Sequence, residues 1–156
     1  MNRIEVRLAN LDEASDVSQI LREAFAEFEP LYTPEAFAVT TPNARLIEDR
    51  FDEGPIWIAV RDRHVVGTVA AIPESGELSI RSMAIRPSAR GVGLGRLPLN
   101  HVERFAIANG FARLRLSTTP FLVSAIRLYE RFGFIRTTDG PFELFGTPLF
   151  TPTKNF

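Results

Sequence analysis

The residues of this chain that could do chemistry are concentrated in one glycine-rich turn, Arg90-Gly91-Val92-Gly93-Leu94-Gly95-Arg96. The turn follows an apolar run that ends Met83-Ala84-Ile85, and it leads into an amphipathic segment that predicts a helix. Glycines let the backbone approach a ligand because no Cβ intervenes, and the unpaired N–H groups at a helix N-terminus favour an anion. The order strand, glycine turn, helix therefore predicts a site for a phosphate-bearing cofactor.

Two other phosphate-binding turns fit this spacing poorly. A P-loop ends in Gly-Lys-Ser/Thr, but Gly95 is followed by Arg96 and Leu97, so no hydroxyl is placed for a magnesium ion. A dinucleotide-binding turn has its glycines directly after the strand, in a G-x-G-x-x-G spacing. Here residues 86–90 intervene and the spacing is G-x-G-x-G, which disfavours that class of site as well.

Segment 83–95 resembles the cofactor motif of the GNAT acetyltransferase superfamily, Arg/Gln-x-x-Gly-x-Gly/Ala after a strand. Arg90, Gly93 and Gly95 match this motif. A second block, 125–134, is similar to the superfamily's later helix, which ends in Gly-Phe and carries a tyrosine one turn earlier, here Tyr129. The resemblance extends from about Ile4 to the C-terminal strand.

The resemblance implies acetyl-CoA as cofactor, with its pyrophosphate on the glycine turn and its pantetheine arm along the edge of the preceding strand. The residues implied to bind it are Met83, Ala84, Ile85, Arg90, Gly91, Val92, Gly93, Leu94, Gly95 and Arg96. The family's helix tyrosine stands near the cofactor sulfur, so Tyr129 is the expected general acid. A tyrosine half-buried in the core is the alternative interpretation of Tyr129, and a solvated loop arginine is that of Arg90.

The general base is harder to identify. Acyl transfer from a thioester to an amine needs a neutral amine, a polarised carbonyl and a proton for the departing thiolate. Many family members have a glutamate on the strand before the turn, whereas this chain has Ser79 and Arg81 at the inward positions. Glu77, at the start of the strand, is the nearest substitute and could act through a water. Direct proton loss from the amine to water stays open, and His64 and His101 are expected to be surface or packed residues.

In the resemblance, the loop after the first helix and the closing strands form the acceptor pocket. This predicts Phe28, Glu29 and Tyr32 as acceptor-binding residues, with Glu27 and Glu35 as further carboxylates that could hold a cationic amine. Solvated acids beside core aromatics explain the same residues. The expected acceptor is a small-molecule or peptide amine.

Two residues depart from the family pattern. Leu122 stands where the family often has an asparagine that bonds the cofactor, so Thr118, Thr119 or Ser124 could replace that contact. Pro98 stands where leucine is usual, and a proline is tolerated in a helix only within its first turn, where its missing N–H costs least.

Composition narrows the class of protein. The 156 residues are 45% hydrophobic and contain no linker-like segment, which predicts a single domain over 1–156. The chain has no cysteine and only two histidines, which makes a metal site unexpected. Its net charge of −1 argues against nucleic acid as a partner. Without an apolar leader or a long apolar run, we expect a cytoplasmic protein that does not bind a membrane. The apolar tail 146–156 suggests a homodimer.

The periodicity predicts an α/β fold, GNAT-like, with one mixed, mostly antiparallel sheet of six to seven strands that splays where the cofactor binds, and about four helices. The predicted strands are 4–8, 56–60, 65–72, 78–85, 114–117, and a closing pair 134–136 with 142–145. The predicted helices are 12–28, a second one capped by Thr41 and running to Phe51, one after the glycines that ends at Asn109-Gly110, and 123–132.

The sequence therefore predicts an N-acetyltransferase that moves an acetyl group from acetyl-CoA to an amine by direct attack. Two alternatives remain. The missing strand carboxylate and Leu122 are compatible with a CoA- or acyl-CoA-binding module without catalysis. The second alternative is an acyltransferase that transfers a longer acyl group, because nothing in the sequence fixes the length of that group.

Overall fold

The computed structural model describes residues 3–91, 93–140 and 142–156, so Val92, a predicted cofactor-binding residue, lies outside the described residues. The strands are β1 (Ile4–Leu8), β2 (Ile56–Arg61), β3 (His64–Glu74), β4 (Glu77–Ile85), β5 (Arg113–Leu116), β6 (Phe142–Leu144), β7 (Thr147–Leu149) and β8 (Thr153–Asn155). The helices are α1 (Ala14–Phe25), α2 (Pro34–Thr40), α3 (Ala44–Arg50), α4 (Arg96–Ala108) and α5 (Val123–Phe132).

Six strands form one sheet in the order β1-β2-β3-β4-β5-β8, and β6 pairs with β7 in a separate hairpin. Neighbouring strands of the sheet are antiparallel except β4 and β5, which are parallel. Asp62 and Arg63 both have positive φ and close the β2–β3 hairpin, because such a turn matches the twist of the strands it joins. The predicted α/β fold with a mostly antiparallel sheet is confirmed.

The sheet opens between β4 and β5. The two strands pair from Glu77 with Arg113 to Ile80 with Leu116. Beyond that point the chain after β5 turns to the C-terminal tail, where Thr118 and Phe150 exchange backbone hydrogen bonds of 3.0 Å. Among the described residues, none pairs with 81–85 on this side of β4. We call this opening the fork; it is the splay that the resemblance implied.

A bulge in β4 lies beside the fork. The register with β3 shifts between Thr68 and Ala70, and Ser82 has φ of 55°. A positive φ in a residue with a side chain is strained, and strain of this kind collects at functional sites. The extra residue also changes which side chains face which side of the sheet, so that Arg81 and Ala84 share a face although they are three positions apart.

Two apolar layers fix the sheet. On one face, α1 and Ile47 of α3 pack on Ile56, Ile58, Ala70 and Ala84. On the other face, Leu99, Val102 and Ala106 of α4, together with Tyr129 and Phe132 of α5, pack on the central strands. The fork therefore lies between α3 on one face and α5 on the other.

The first part of the chain differs from its prediction. The predicted helix 12–28 is interrupted: 3₁₀ turns at Leu11–Glu13 and Ala26–Leu31 flank α1. The second helix is two helices, and its cap is not Thr41. Thr33 caps α2, and the Asn43 side chain accepts a hydrogen bond of 2.9 Å from Leu46 N to cap α3.

The closing strands are also reassigned. The prediction paired 134–136 with 142–145, but β6 pairs with β7, and Ile135 makes a single bridge to Thr153. The apolar tail forms β7 and β8, and β8 pairs with β5. Pairing within the chain thus uses most of the tail that suggested a second subunit.

Helix α4 begins at Arg96, which places Pro98 in its first turn, where no helix hydrogen bond is lost. Asn109 caps the far end and Gly110 has φ of 77°, as the predicted C-cap requires. Within the part of the chain that is described, no helix is long and apolar enough to cross a membrane.

Candidate functional site

The glycine turn has an open cradle of backbone before α4. Gly91 and Gly93 have φ of 93° and 71°, and a Cβ on either would point into open space. Among the described residues, none accepts a hydrogen bond from the N–H groups of Gly91, Gly93, Leu94 or Gly95. Unpaired donors at the N-terminus of a thirteen-residue helix suit a phosphate, so the geometry fits the predicted anion site.

Position 95 favours glycine for a different reason. Its φ is ordinary, but a Cβ there would lie 2.7 Å from Leu128 Cδ2 of α5 and 3.6 Å from Met83 Cε of β4. The turn, the end of β4 and α5 therefore meet at this glycine. A side chain at this position would therefore press on Leu128 of α5, the helix that carries Tyr129.

The side chain of Arg90 points back into the protein. Its Nη1 donates to Glu27 Oε1 at 2.8 Å, its Nη2 to the Ala24 carbonyl at 2.9 Å, and its Nε to the Ile85 carbonyl at 3.3 Å. These bonds fasten the turn to the end of α1 and use all three guanidinium nitrogens. The binding role predicted for Arg90 stays a prediction, and the observed bonds support a contribution through positioning of the turn.

The other predicted cofactor residues divide between backbone and side chain. Met83 lines a cavity at the fork, whereas Ala84 is buried against α1 and Ile85 packs beside Leu94. Arg96 is exposed at the first position of α4. Ala84 and Ile85 could therefore contribute only main-chain groups to a ligand in the fork.

Two cavities meet at the fork. The α3-side cavity has a volume of about 420 Å³ and is walled by Phe25, Tyr32, Arg50, Ile72, Arg81 and Leu144 among others. The α5-side cavity has a volume of about 410 Å³ and is walled by Ile126, Glu130, Phe134, Arg136 and Phe150 among others. Tyr129 and Thr118 line both cavities. A group at Tyr129 can therefore act on ligands that enter from either face of the sheet.

Tyr129 is a strong candidate for an acid that stays protonated. Its side chain is 9% exposed and its ring packs edge-on against Phe134. Burial, with a smaller contribution from Tyr32, raises the pKa of Tyr129 to about 12. The core interpretation and the acid interpretation are thus compatible, because the residue is in the core and also borders both cavities.

Two arginines stand at the bulge in the α3-side cavity. Arg50, the last residue of α3, donates from Nη1 to Ser82 Oγ at 3.0 Å and from Nη2 to the Val39 carbonyl at 3.3 Å. Arg81 forms an ion pair of 3.3 Å with Glu53, and its Nε is buried without a partner among the described residues. Burial and the positive charge of Arg81 lower the pKa of Arg50.

A buried hydroxyl also lacks a partner. Thr119, which follows the fork and lines the α3-side cavity, is 3% exposed, and its Oγ1 has no hydrogen bond to any described residue. Burial raises the pKa of Tyr32, whose hydroxyl lies near Thr119 without completing a hydrogen bond. An orphaned hydroxyl at a cavity wall fits a bound ligand, since leaving it unpaired costs free energy.

The predicted acceptor residues are only partly brought together. Tyr32 lines the α3-side cavity, but Phe28 packs on Phe121 with ring centroids 6.2 Å apart, and Glu29 is exposed. Neither Phe28 nor Glu29 is among the described residues that line the two cavities, and Glu27 pairs with Arg90.

Glu77, the predicted base, lies at the closed end of the fork. Its carboxylate accepts hydrogen bonds from Nε of Arg113 at 2.7 Å and from Nη2 of the same residue. It is not among the described residues that line either cavity, nor are His64 and His101.

Sequence reasoning missed Arg50 completely. A basic residue in the last turn of a helix is common because it complements the helix dipole, so an arginine at this position does not by itself indicate a site. Arg81 was noticed only as the place where a carboxylate is missing. Thr119, in contrast, was one of three named replacements for the absent asparagine.

Comparison with known proteins gives a family match. The family described as Acetyltransferase (GNAT) family matches residues 16–134. The Escherichia coli protein named uncharacterized N-acetyltransferase YjgM is 30% identical over 136 residues, which cover 83% of this chain and 80% of that protein. Human N-acetylaspartate synthetase is 35% identical over 80 residues, which cover 50% of this chain and 26% of that protein.

A solved structure has the same fold. It is the PaiA N-acetyltransferase of Thermoplasma acidophilum, in complex with coenzyme A, and it superposes with a TM-score of 0.81 over 99% of both chains. Its sequence is 15% identical to this chain, so the likeness concerns the fold alone.

Proposed function

Because the chain belongs to the acetyltransferase (GNAT) family, with acetyl-CoA as acyl donor, we propose that the fork is its active site and that Tyr129 is the general acid. The observation that carries this proposal is the position of Tyr129 between the two cavities. The acceptor is an amine of a small molecule or a peptide.

The residues at the site fit the donor. The N–H groups of Gly91, Gly93, Leu94 and Gly95, for which no acceptor is found among the described residues, would hold its phosphates. The open side of β4 at 81–85 would pair with its peptide-like arm, and Thr119 would supply a hydroxyl. Acetyl-CoA supplies an acetyl thioester that is activated for attack by an amine.

Tyr129 would donate a proton from its Oη to the departing sulfur as the C–S bond breaks and the new amide bond forms, and the proton that the attacking nitrogen releases would return to Tyr129 Oη through water. With a pKa of about 12 it is protonated throughout the neutral range, so the acid is always in its active form. Its burial keeps this proton away from bulk solvent.

The amine loses its proton to water in this proposal. Glu77 is held by Arg113, away from both cavities. Of the described carboxylates that do line the cavities, Glu74 lies at the end of β3 opposite Glu77 and Glu130 is exposed on α5, so neither takes the place of the missing carboxylate at Ser79 and Arg81. The positive charges of Arg50 and Arg81 lower the pKa of an ammonium group bound beside them, which raises the fraction of neutral amine. The site therefore needs a weaker base than a site that holds the ammonium with carboxylates.

Replacement of Tyr129 tests the assignment. We expect Tyr129→Phe to lower kcat on the order of 100-fold, because a general acid contributes about that much, with little change in acetyl-CoA affinity. Tyr32→Phe is the comparison, since it removes the hydroxyl of the other tyrosine: Tyr32 lines the α3-side cavity, so we expect a change in KM for the acceptor with kcat kept within a few-fold. Thiol release is measured for kcat, and isothermal titration for affinity.

Two results would contradict the proposal. If Tyr129→Phe keeps full kcat, Tyr129 is a core residue only. If the wild-type protein binds acetyl-CoA but releases no thiol with any amine of a broad panel, the chain is a binding module.

We also propose a homodimer in the cytoplasm. The tail contributes less to this proposal than its composition suggested, since β8 pairs with β5. The support that remains is exposed apolar surface, chiefly Ile135 and Phe145, which are 72% and 61% exposed. Light scattering of the purified protein tests the state of assembly.

A further inference from the structure

We infer that the amine acceptor also carries a carboxylate, which Arg50 and Arg81 bind, so that the substrates of this acetyltransferase are amino acids. This inference rests on the proposed function. The match to human N-acetylaspartate synthetase covers 26% of that protein, so the acceptor is inferred from the α3-side cavity alone.

The charges that line this cavity are mainly positive. Two guanidinium groups, Arg50 and Arg81, flank the bulge at Ser82, and Glu53 pairs with one of them. Glu74 is the remaining charged residue in the lining, and it lies at the end of β3 opposite Glu77, four pairs along the ladder from the position of Arg81. At the bulge, two positive charges and one negative charge leave a single positive charge.

Hydrogen-bond donors remain free on both groups. A guanidinium has five N–H donors in a planar fork that matches a carboxylate. Arg50 uses two of its donors, on Ser82 and Val39, and Arg81 uses one, on Glu53, while the buried Nε–H of Arg81 has no described partner. A buried, unpaired N–H beside a cavity is a costly feature that a bound anion would relieve.

The surroundings hold Arg50 in place. Its bond to Ser82 Oγ reaches a residue whose φ of 55° is strained, and its bond to the Val39 carbonyl ties it to α2. Strained backbone that positions a charged side chain at a cavity is characteristic of a ligand site. The remaining walls, among them Phe25, Tyr32, Ile72 and Leu144, are aromatic or aliphatic and suit the carbon skeleton of an acceptor.

The carboxylates expected to hold a cationic acceptor are elsewhere. Glu27 is paired with Arg90, and Glu29 and Glu35 are exposed and outside the described cavity lining. The cavity thus selects against a doubly cationic amine and favours one with a single negative charge. One carboxylate matches the single net positive charge better than a phosphate monoester, which carries nearly two negative charges.

The test compares each amino acid with its own amide. Thiol release from acetyl-CoA is measured with the common L-amino acids, the corresponding amino-acid amides, phenethylamine and O-phosphoethanolamine. We expect the best amino acid to exceed its amide in kcat/KM by at least about 30-fold, because the amide leaves the guanidinium groups unpaired. O-phosphoethanolamine is expected to be a poor acceptor.

Variants locate the effect at the arginines. Arg81→Gln is expected to raise KM for the best amino acid by about 30-fold and to bring the acid-to-amide ratio close to one, whereas Arg81→Lys keeps part of the preference. Arg50→Gln acts in the same direction. Arg22→Gln is the charge-matched control, because Arg22 is exposed on α1 and outside both cavities.

A binding measurement separates this inference from the proposed function. Amino acids and their amides are titrated calorimetrically into the CoA-loaded protein, and acetyl-CoA is titrated into each variant to check the fold. Equal turnover of amides and acids, an unchanged ratio in Arg81→Gln, or the absence of amino-acid binding overturns the inference. Binding of amino acids without thiol release refutes the proposed catalysis and leaves carboxylate recognition intact.

Discussion

The unpaired hydroxyl of Thr119 is expected to affect ligand binding without adding to the stability of the fold. The Thr119→Val variant removes a buried hydroxyl that has no partner among the described residues, so we expect an unchanged or higher Tm without ligand. We also expect KM for acetyl-CoA to rise several-fold, since the proposed function places this hydroxyl at the acyl donor. Calorimetry and steady-state kinetics measure the two effects.

The matched control is Thr41→Val. Thr41 is also buried, but its hydroxyl donates to the Phe37 carbonyl at 2.8 Å, so its loss should destabilise the protein by about 1 kcal/mol without a change in KM. If both variants lose stability equally, the Thr119 hydroxyl has a partner in solution and no vacancy for a ligand.

Single residues could be identified as site candidates where their own neighbours in sequence define a turn or a helix start, and their binding roles stay predictions. The glycines at 91, 93 and 95 could be found because a turn and a helix start are local features. Arg50 and Arg81 meet because α3 folds back over a bulge in β4, with a register shift that no local pattern shows. Long-range geometry therefore determines the charge of the cavity, which the sequence did not predict, and it leaves Glu29, a predicted acceptor residue, outside the described lining of both cavities.

At the scale of elements, α4 and α5 are joined through Gly95. A Cβ there would approach Leu128 Cδ2 to 2.7 Å, so Gly95→Ala must displace Leu128 or the turn. We expect the affinity for acetyl-CoA to fall by about tenfold, which corresponds to about 1.4 kcal/mol. Isothermal titration measures it.

Gly110→Ala is the control at the other end of the same helix. Gly110 has φ of 77° with open space around it, so the substitution should cost about 1 kcal/mol of stability and leave acetyl-CoA affinity unchanged. Equal affinities for all three proteins would show that the position of α5 does not depend on Gly95.

Elements with strong local signals were predicted within a few residues, as for β1, β4 and α5. The segment 26–50 was not, because Thr33-Pro34 and Asn43 are start signals as good as Thr41-Pro42, and packing decides among them. The prediction of the closing strands was wrong for a similar reason. Strand β8 is three residues long and is defined by its pairing with β5 rather than by its own composition.

At the scale of the whole molecule, the stability of the fold at alkaline pH depends on the tyrosines. Tyr129 keeps its proton to about pH 12 in the native state, whereas the unfolded chain releases it near pH 10. Unfolding therefore releases a proton between these values, and stability that is intact below pH 10 falls as the pH rises, by about 3 kcal/mol in total.

Urea unfolding at pH 9, 10 and 11 measures this slope, and absorbance of tyrosinate follows the titration directly. The Tyr129→Phe variant should show a flatter dependence, with the remaining slope due to Tyr32, whose pKa burial also raises. A wild-type slope no steeper than that of the variant would mean that Tyr129 is exposed to solvent.

The fork leaves an unpaired stretch of strand inside the sheet rather than at its rim. A strand with unpaired backbone groups at the rim of a sheet invites association with a second chain. Here the open stretch 81–85 of β4 lies inside the sheet, with the paired segment Thr118 and Phe150 on the opposite branch. Because a second branch stands beside it, this stretch is not at the rim of the sheet, and we expect it to be less accessible to a strand of a second folded protein than a rim strand is.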